Sequence, residues 1–573
     1  MAEKGCEKPA KANSVLLMDE PEFTGPCRKS KLFPNTAGKG GCRYPKIFYG
    51  YFFAREFNLD WTKKIMKGYC EMKLPGYIKT VALIVAIMLV AATASAQAPK
   101  FVFFFLGDGM SSSQIQAAEA YLTTFNGNSA TKADDLLKSE NRLNMSKMPV
   151  LGMQTTYDAY ALMTDSASSA TAFACGLKTK SGVIGKYPDP SQNGEYKKIK
   201  SIAQLAKEAG MKVGVLSSVS LDHATPAAYY ASVDSRNNYA EIDEQMALSG
   251  YEFFGGGGLK IITHEEMETK YGYQVLNTKE EMLDLKHDID KVVCINPWLQ
   301  DSDAMPYAID KPSDNLSLAE MTEVAIEFLY GKNSENGFFI MVEGGKIDWA
   351  CHANDAVATI GDLLDFDAAV GKALDFYKDH PEDTLVVVTG DHETGGMSIG
   401  HATTAYTAYY DRLLDQKNSF QFFGDNQWAD YKAVNSERVC RGNSHLHLDN
   451  LEREAEMVGL MKDVFGLDYS QLNDFQKEKL EDAFDKSLCG ANDNSDAENK
   501  LLYGGYEPIV VTITHILNEN ASIGWTSYSH TGVPVPVFAQ GKGEENFAGF
   551  YDNTDIAKKL AAVMAVGTLP AEK

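Results

Sequence analysis

Runs of consecutive apolar residues recur along the chain after residue 100, and each run ends in a polar cluster. The four clearest are Lys100-FVFFFLGDGM, Lys212-VGVLSSVS, Gly337-FFIMVEGG and Thr384-LVVVTGDHETGG. Uninterrupted apolar runs of this length are typical of strands buried on both faces, as in a parallel sheet. Ligands of such sheets bind beyond the carboxyl ends of the strands, which is where the polar clusters fall.

Helical periodicity separates these strands, for example over Ser201–Ala209 and Leu318–Tyr330. Near the C-terminus the stretch VPVPVFAQG closes the pattern, followed by helical spacing over Ile556–Val566. Alternating strands and helices predict an α/β fold. We expect a three-layer sandwich with a large, mostly parallel central sheet flanked by helices.

Residues from about 403 to 510 follow a different pattern. They are rich in Tyr, Asn, Asp and Lys and contain no apolar run of comparable strength; the core pattern returns at Ile509-VVTITHI. We interpret this stretch as an insertion, a cap or crown region that covers the site or forms a dimer contact.

Residues 72–96 have the pattern of a signal peptide. Lys73 and Lys79 form a positive start, Thr80–Ala91 an apolar segment, and Ala94-Ser-Ala96 a small-residue cleavage site. We predict cleavage after Ala96, a periplasmic or secreted mature chain over 97–573, and no stable membrane span after cleavage. An uncleaved anchor is the alternative, although the apolar segment is short for a span. The basic residues 1–71 are interpreted as a non-native or disordered extension.

Composition restricts the classes of partner and of metal site. The formal net charge of −24 disfavours nucleic acid as a partner, and it requires that any phosphate site be made locally positive by metal ions or an Arg. None of the nine cysteines forms a CxxC motif, which argues against a zinc finger. Cys440 and Cys489 could form a disulfide in an exported protein.

Carboxylates and imidazoles cluster at the predicted strand ends. Asp348 and His352 have the i, i+4 spacing that places two ligands on one helix face, and Glu343 lies just upstream. Asp391-His392 is a second such pair. A lone His is more often structural than a ligand. Together with His530, however, these residues supply oxygen and nitrogen ligands at several strand ends, the composition expected of a two-metal hydrolase.

Ser166 is the candidate nucleophile and Arg236 the candidate phosphate-binding cation. Ser166 precedes the small-residue helical stretch Ala167–Cys175, so its hydroxyl lies at a helix N-terminus, where a phosphoryl group is stabilised. An ordinary Ser N-cap is the alternative. No Ser-His-Asp order is evident, so activation must come from a metal. An Arg fork can bind two phosphate oxygens, although surface solvation explains a lone Arg equally well.

Two other motifs are not assigned a function. Phe254-GGGGLK lacks the GxxxxGK[ST] spacing of a phosphate loop, so we expect a tight turn there. His445-Leu-His447 lies in the insertion without a nearby acidic partner in sequence, and we interpret it as a structural or exposed pair.

From about Lys100 to the C-terminus, apart from the insertion, the chain resembles bacterial alkaline phosphatases. The motifs GDGM, TDSASSATAF, HATPAAYYASVDSR, VEGGKIDWACH, TGDHETGG and SHTG match in order and in internal spacing. The resemblance implies hydrolysis of phosphate monoesters through a phosphoserine on Ser166, with Arg236 gripping phosphate. It also implies two Zn²⁺ and one Mg²⁺ per subunit, and a homodimer.

The resemblance assigns each metal its ligands. The first zinc takes Asp348, His352 and His530; the second takes Asp391, His392 and a bridging Asp108; magnesium takes Asp108, Thr225 and Glu343. His223 stands where some members have Asp, and Trp349 where some have Lys. These two residues are expected outside the ligand set, and His223 leaves the identity of the third metal open.

Two rival functions remain. A phosphodiesterase or sulfatase of the same superfamily would use the same zinc pair, but such relatives generally lack the magnesium ligands and the Arg, so Thr225, Glu343 and Arg236 favour a monoesterase. A non-catalytic secreted metal- or phosphate-binding protein needs no nucleophile at a helix start, so Ser166 argues against it.

Overall fold

The computed structural model describes residues 98–188, 196–331, 335–440 and 451–573. Its strands, numbered in chain order, are β1 (Phe101–Gly107), β2 (Val150–Thr155), β3 (Lys186–Pro188), β4 (Tyr196–Lys200), β5 (Lys212–Ser217), β6 (Phe253–Gly256), β7 (Gln274–Leu276), β8 (Val292–Ile295), β9 (Phe338–Gly344), β10 (Thr384–Gly390), β11 (Glu393–Thr394), β12 (Ser398–Ile399), β13 (Ile523–Gly524), β14 (His530–Thr531), β15 (Val535–Gly541), β16 (Gly549–Asp552) and β17 (Ala571–Glu572).

Ten of these strands form one central sheet in the order β16-β2-β15-β10-β1-β9-β5-β6-β8-β7. Every neighbouring pair is parallel except the two pairs that β15 makes with β10 and β2. The four apolar runs of the sequence are β1, β5, β9 and β10, which lie side by side at the centre. Because they are parallel and in register, with Gly107 opposite both Gly390 and Gly344, their carboxyl ends meet at one edge.

The helices, also in chain order, are α1 (Ser112–Phe125), α2 (Ala133–Leu136), α3 (Ser166–Cys175), α4 (Ile202–Glu208), α5 (Ala224–Ala227), α6 (Tyr239–Leu248), α7 (His264–Thr269), α8 (Lys279–Leu283), α9 (Leu318–Tyr330), α10 (Lys346–His352), α11 (Ala356–Asp379), α12 (Phe420–Phe423), α13 (Ala429–Val439), α14 (Ala455–Phe465), α15 (Asp474–Cys489), α16 (Asp496–Tyr503), α17 (Pro508–Ala521) and α18 (Thr554–Met564).

The two faces of the sheet bury two separate hydrophobic cores, as the side-chain alternation of β1 illustrates. Phe101, Phe103 and Phe105 point into a core shared with α1, α9 and α11. Val102 and the other even-numbered residues of β1 point into a second core shared with α3, α4 and α18. Successive side chains of a strand point to opposite faces, so a strand covered on both faces needs an unbroken apolar run. The predicted three-layer α/β sandwich is confirmed.

Two sequence-based expectations need correction. The apolar run at Ile509, where the core pattern resumes, is part of helix α17; a short apolar run does not by itself distinguish a buried helix from a strand. The Phe254-GGGGLK motif begins inside strand β6, which includes its first two glycines, and the chain bends at Gly257 directly after the strand.

The described residues of the stretch 403–510 are mainly helical. A π-helical turn at Gly424–Trp428 joins α12 to α13, and a disulfide between Cys440 and Cys489 ties the end of α13 to the end of α15. The predicted pairing of these cysteines is therefore present. Gln416 donates hydrogen bonds to Asp355, the N-cap residue of α11. Asp355 lies three residues after His352, the last residue of α10, so this stretch contacts the connection between these two helices.

Three further expectations concern residues outside the described ranges: the extension 1–71, the signal peptide 72–96 with its cleavage site, and the pair His445 and His447. Among the described helices, none combines the length and the apolar character that crossing a membrane requires.

Candidate metal-dependent active site

The central strand ends bring the predicted ligands together at one edge of the sheet. Asp108 follows β1, Glu343 is the penultimate residue of β9, and Asp391-His392 follows β10. After β5, His223 is the N-cap residue of α5 and Thr225 lies within that helix, and α10 begins two residues after β9. Gly109 allows a close approach here: its φ is +73°, and a Cβ on it would lie 2.8 Å from the Cα of Asp348. Residues far apart in sequence thus line one buried site.

The first cluster consists of Asp348, His352 and His530. His352 Nε2 lies 3.3 Å from Asp348 Oδ2 and 3.1 Å from His530 Nε2. His352 Nδ1 is 2.6 Å from the carbonyl oxygen of Tyr528, and His530 Nδ1 is 2.7 Å from that of Thr164. A carbonyl only accepts, so each Nδ1 carries a proton, and each Nε2 faces the cluster.

The second cluster is formed by His392 with Asp391 and Asp108. His392 Nε2 lies 3.1 Å from Asp391 Oδ2 and 3.3 Å from Asp108 Oδ1. All three side chains are buried. Asp108 and Asp348 also lie within reach of one another, since a ligand atom from each and one from His392 fall within 4.8 Å. The second cluster is therefore contiguous with the first.

The third cluster contains Asp108, Glu343 and His223, again with one atom from each inside 4.8 Å. Thr225 is also buried and its Oγ1 has no hydrogen-bond partner, as is true of Glu343 Oε1 and of both carboxylate oxygens of Asp108. Ser217 at the end of β5 donates a hydrogen bond to Glu343 Oε2.

These clusters fit metal ions. Buried polar atoms are almost always hydrogen-bonded, so unpartnered oxygens on Asp108, Glu343 and Thr225 indicate atoms whose partner is something other than protein. Two imidazole nitrogens that share a zinc at about 2.0–2.1 Å lie roughly 3.3 Å apart, close to the spacing of His352 and His530. The donors of the third cluster are mainly oxygens, which suit magnesium.

Ser166 is the first residue of α3, and the residues around it contact the first and second clusters. The N-cap of α3 is Asp165, whose Oδ1 accepts from Ser168 N, so the alternative that Ser166 is itself the cap is wrong. The carbonyl of Thr164 holds His530, and Ser169 Oγ donates to Asp391 Oδ2 at 2.8 Å. Ser166 is buried and lies between these contacts, with its hydroxyl released from capping.

Arg236 is held at both ends of its guanidinium group. Nη1 donates to Asp165 Oδ2 at 3.2 Å and Nη2 to His223 Nε2 at 2.9 Å. Arg only donates, so His223 Nε2 accepts and the imidazole is neutral. Burial, followed by the Arg236 charge, lowers the pKa of His223 to about 3, in agreement. The interpretation of Arg236 as a solvated surface residue is wrong.

Comparison with known proteins identifies the family. The sequence model of the alkaline phosphatase family matches residues 99–253 and 256–566. The chain belongs to the alkaline phosphatase family. Alkaline phosphatase 4 of Bacillus subtilis (strain 168) is 30% identical over 479 residues, which are 81% of this chain and 89% of that protein. The repressible alkaline phosphatase of Saccharomyces cerevisiae is 26% identical over 504 residues, 80% of each chain.

Solved structures agree with this membership. A cold-active alkaline phosphatase from a psychrophilic Shewanella sp. has a TM-score of 0.61 and 26% identity, covering 81% of this chain and 99% of that one. A glutamate-for-histidine mutant of TAB5 alkaline phosphatase, solved with Mg bound in its M3 site, has a TM-score of 0.52 and 26% identity, covering 82% and 98%. This chain is therefore a metal-dependent phosphomonoesterase.

The electrostatics of this alkaline phosphatase site favour cations. Burial, and then the charge of Asp391, raise the pKa of Asp108 well above its usual value, and burial raises the pKa of Glu343 to about 8. Burial acts on Asp348 in the same direction, but His352 and His530 hold its pKa well below its usual range. Clustered buried carboxylates are costly without positive charge, and bound metal ions would supply it.

Several residues that support this phosphatase site were not singled out from the sequence. Asp165 holds Arg236 and caps α3, and Ser169 holds Asp391. Thr394 donates to Asp348 Oδ1 at 2.5 Å and lies 3.2 Å from His392 Nδ1. Asp165 had a local signal, because Asp is a preferred N-cap and directly precedes the small-residue helix. Ser169 had none, since its partner Asp391 is distant in sequence. Thr394 lies two residues after His392, but its contact with Asp348, 46 residues away, had no local signal.

Proposed function

We propose that this phosphatase acts through a phosphoserine on Ser166, with two zinc ions and one magnesium ion held by the three clusters. The observation that carries the proposal is the continuity of the clusters through Asp108 and Asp348, together with the hydrogen bonds of Thr164 and Ser169 that join them to the start of α3. Metal ions bound there would lower the pKa of the Ser166 hydroxyl and stabilise charge on the leaving oxygen.

The chain's own residues perform the remaining steps. Ser166 Oγ loses its proton to solvent and attacks phosphorus, the bond from phosphorus to the leaving oxygen breaks, and that oxygen takes a proton from solvent to leave as the alcohol. Water then attacks the phosphoserine, which releases inorganic phosphate and restores the Ser166 hydroxyl. Arg236, pinned by Asp165 and His223, keeps further N–H donors for two nonbridging phosphate oxygens. The first N–H groups of α3 add positive potential to the same oxygens. Positioning and charge stabilisation are the main requirements of phosphoryl transfer.

Magnesium in the third cluster is supported by its donor set of two carboxylates and a hydroxyl. His223 accepts a hydrogen bond from Arg236, so we assign it to the proposed phosphate-binding group rather than to a metal. Trp349 packs against His223 and belongs to the same group. The TAB5 mutant with Mg in its M3 site is consistent with this assignment. Thr225, Glu343 and Arg236 together favour a monoesterase over a diesterase or a sulfatase.

The test is the Ser166→Ala variant with an aryl phosphate substrate. We expect kcat to fall by at least about 10³-fold, because the attacking oxygen is gone. The zinc and magnesium content should remain near that of the wild type. In wild-type protein quenched with acid during turnover of ³²P-labelled substrate, the label should appear on the peptide that contains Ser166.

Ser249→Ala, which removes a part-buried serine at the end of α6, is the matched control and should retain full activity. Near-wild-type turnover by Ser166→Ala would contradict the nucleophile assignment. Faster hydrolysis of the methyl diester than of the aryl monoester would instead support the diesterase alternative, and a faster aryl sulfate would support a sulfatase.

We further propose that the chain is exported, that it matures by cleavage after Ala96, and that it acts as a homodimer without a nucleic-acid partner. The Cys440–Cys489 disulfide supports export, because such bonds persist in oxidising compartments. N-terminal sequencing of native protein should start at Gln97, and light scattering should give twice the mass of the mature chain. A start near residue 1, or a monomeric mass, would contradict the corresponding part.

A further inference from the structure

Lys346 is a buried lysine that the proposed reaction does not use. It is the first residue of α10, its side chain has no solvent exposure, and its Nζ has no hydrogen-bond partner. Removing an ammonium group from water without a hydrogen-bond acceptor is costly. A lysine retained in such a position therefore needs some other stabilising interaction.

Aromatic rings supply that interaction. Lys346 Nζ lies 3.6 Å from the ring centroid of Tyr307 and 4.8 Å from that of Trp349. Trp349 is three residues further along α10 and therefore on the same helix face. The ring faces carry negative potential that attracts a cation, more strongly where water is excluded. Asp362, Asp301 and Asp310 add attraction at longer range.

Trp349 connects this buried charge to the proposed phosphate-binding group. Its ring meets the imidazole of His223 nearly edge-on, with centroids 5.9 Å apart and planes at 79°. His223 Nε2 in turn accepts from Arg236 Nη2 at 2.9 Å. A continuous chain of contacts thus runs from Lys346 through one indole and one imidazole to the guanidinium group.

We propose that Lys346 is a positioning residue for Arg236, acting through Trp349 and His223. The ammonium fixes the orientation of the indole, the indole fixes the imidazole, and the imidazole fixes one end of the guanidinium fork. Lys346 acts only through these contacts, since its Nζ lies against the rings of Tyr307 and Trp349 and makes no hydrogen bond. The inference rests on the proposed role of Arg236 in binding phosphate.

The test compares Lys346→Met, which keeps the length of the side chain and removes its charge, with the wild type. Assays of the two proteins are run at the same pH and metal concentration. We expect the inhibition constant of inorganic phosphate and the KM of an aryl phosphate to rise about 5- to 20-fold. Kcat should change less than about 3-fold, and metal content should be unchanged. Lys372→Met, at an exposed lysine on α11, should alter none of these.

A double-mutant cycle distinguishes positioning from a general structural role. In an Arg236→Ala background, Lys346→Met should raise the phosphate inhibition constant by less than about 2-fold, because the group it positions is absent. The same 5- to 20-fold rise in that background would overturn the inference. An unchanged inhibition constant in the single variant, with only thermal stability lowered, would also overturn it.

If Lys346→Met does not fold, Trp349→Leu breaks the same chain one step nearer to His223. It should raise the inhibition constant by a similar factor, and an unchanged constant would refute the inference. The proposed function has its own control here. If Arg236→Ala alone leaves phosphate inhibition unchanged, the role of Arg236 is wrong. If only the Lys346 and Trp349 variants have no effect, the positioning inference alone is wrong.

Discussion

At the scale of single residues, Asp165 performs two tasks that one substitution can separate. Its Oδ1 caps α3 through Ser168 N, and its Oδ2 accepts from Arg236 Nη1 and from Gly182 N. Both are possible because an ionised carboxylate accepts through both oxygens, whereas Asn offers one acceptor oxygen. The N-terminus of α3 and the position of Arg236 thus both depend on the carboxylate of Asp165.

We expect Asp165→Asn to weaken phosphate binding while it preserves the helix. Asn caps helices about as well as Asp, so the melting temperature should stay within a few degrees. Loss of the charged partner leaves Arg236 held mainly by His223, so the inhibition constant of inorganic phosphate should rise about 3- to 30-fold. Inhibition assays and thermal melts of the same preparation measure both.

Asn473→Asp, a cap exchange at the start of α15, is the matched control and should leave phosphate inhibition unchanged. An Asp165→Asn protein that binds phosphate as well as the wild type would show that Asp165 does not hold Arg236 in the working enzyme.

At the scale of elements, Asp367 of α11 anchors the loop before β2. Its two carboxylate oxygens accept from Asn144 N at 2.8 Å and from Met145 N at 3.0 Å. Burial raises the pKa of Asp367 to about 6, although these two N–H groups oppose the change. The unfolded value is about 3.9, so the folded protein binds this proton more tightly than the unfolded chain does.

A raised folded pKa fixes the sign of the pH dependence. The stabilisation from protonated Asp367 is complete below about pH 4 and is lost as pH rises through about 6. Between pH 5 and pH 8, the wild type should therefore lose about 1.4 kcal/mol of unfolding free energy relative to Asp367→Asn. Urea denaturation of both proteins across this pH range measures the difference between their unfolding free energies. The pH effects of all other groups are common to both proteins and cancel in this difference.

A difference between the wild type and Asp367→Asn that stays flat with pH would mean that Asp367 titrates alike in the folded and unfolded chains.

Elements also show what could be predicted from the sequence. The strands β1, β5, β9 and β10 were predictable because strands buried on both faces need unbroken apolar runs. Helix α17 was not recognised from its apolar run, because such runs do not distinguish a helix from a strand when both are buried. The bounds of α9 agree with the predicted Leu318–Tyr330, where amphipathic spacing and the Ser317 capping box give independent signals.

The site was predictable to the extent that its chemistry is carried by local motifs. Asp348 and His352 share one helix, and Asp391 and His392 are adjacent, so their spacing was informative. The hydrogen bonds that hold Arg236 were not predictable. His223 lies in the same motif but 13 residues away, a spacing that does not by itself indicate contact, and Asp165 is 71 residues away. The cation–π contacts of Lys346 depend in the same way on Tyr307, which is distant in sequence.

At the scale of the whole molecule, the site combines residues at the ends of central strands with a residue of the helix α10. Carboxylates from the ends of three adjacent central strands, Asp108, Glu343 and Asp391, meet Asp348 of α10 in one buried volume. In a chain with a net charge of −24, such a cluster opposes folding unless cations neutralise it. The same ions that are proposed to serve catalysis would therefore also stabilise the fold.

Metal removal should accordingly destabilise the protein as a whole. A ligand that binds only the folded state at about 1,000 times its Kd contributes about 4 kcal/mol. We therefore expect chelation to lower the melting temperature by on the order of 10 °C, with recovery on addition of Zn²⁺ and Mg²⁺. Differential scanning calorimetry at one fixed scan rate measures this, because large proteins often unfold irreversibly.

The control for this effect is a protein whose first cluster is already disabled. His352→Ala with His530→Ala removes two imidazoles that face Asp348, so this variant should start with a lower melting temperature and lose less on chelation than the wild type does. Equal losses in both proteins would mean that the chelator acts elsewhere. No loss in the wild type would mean that the buried carboxylates are neutralised by protons, as the raised pKa values of Asp108 and Glu343 allow in the absence of metal. Stability would then be independent of the ions that the reaction requires.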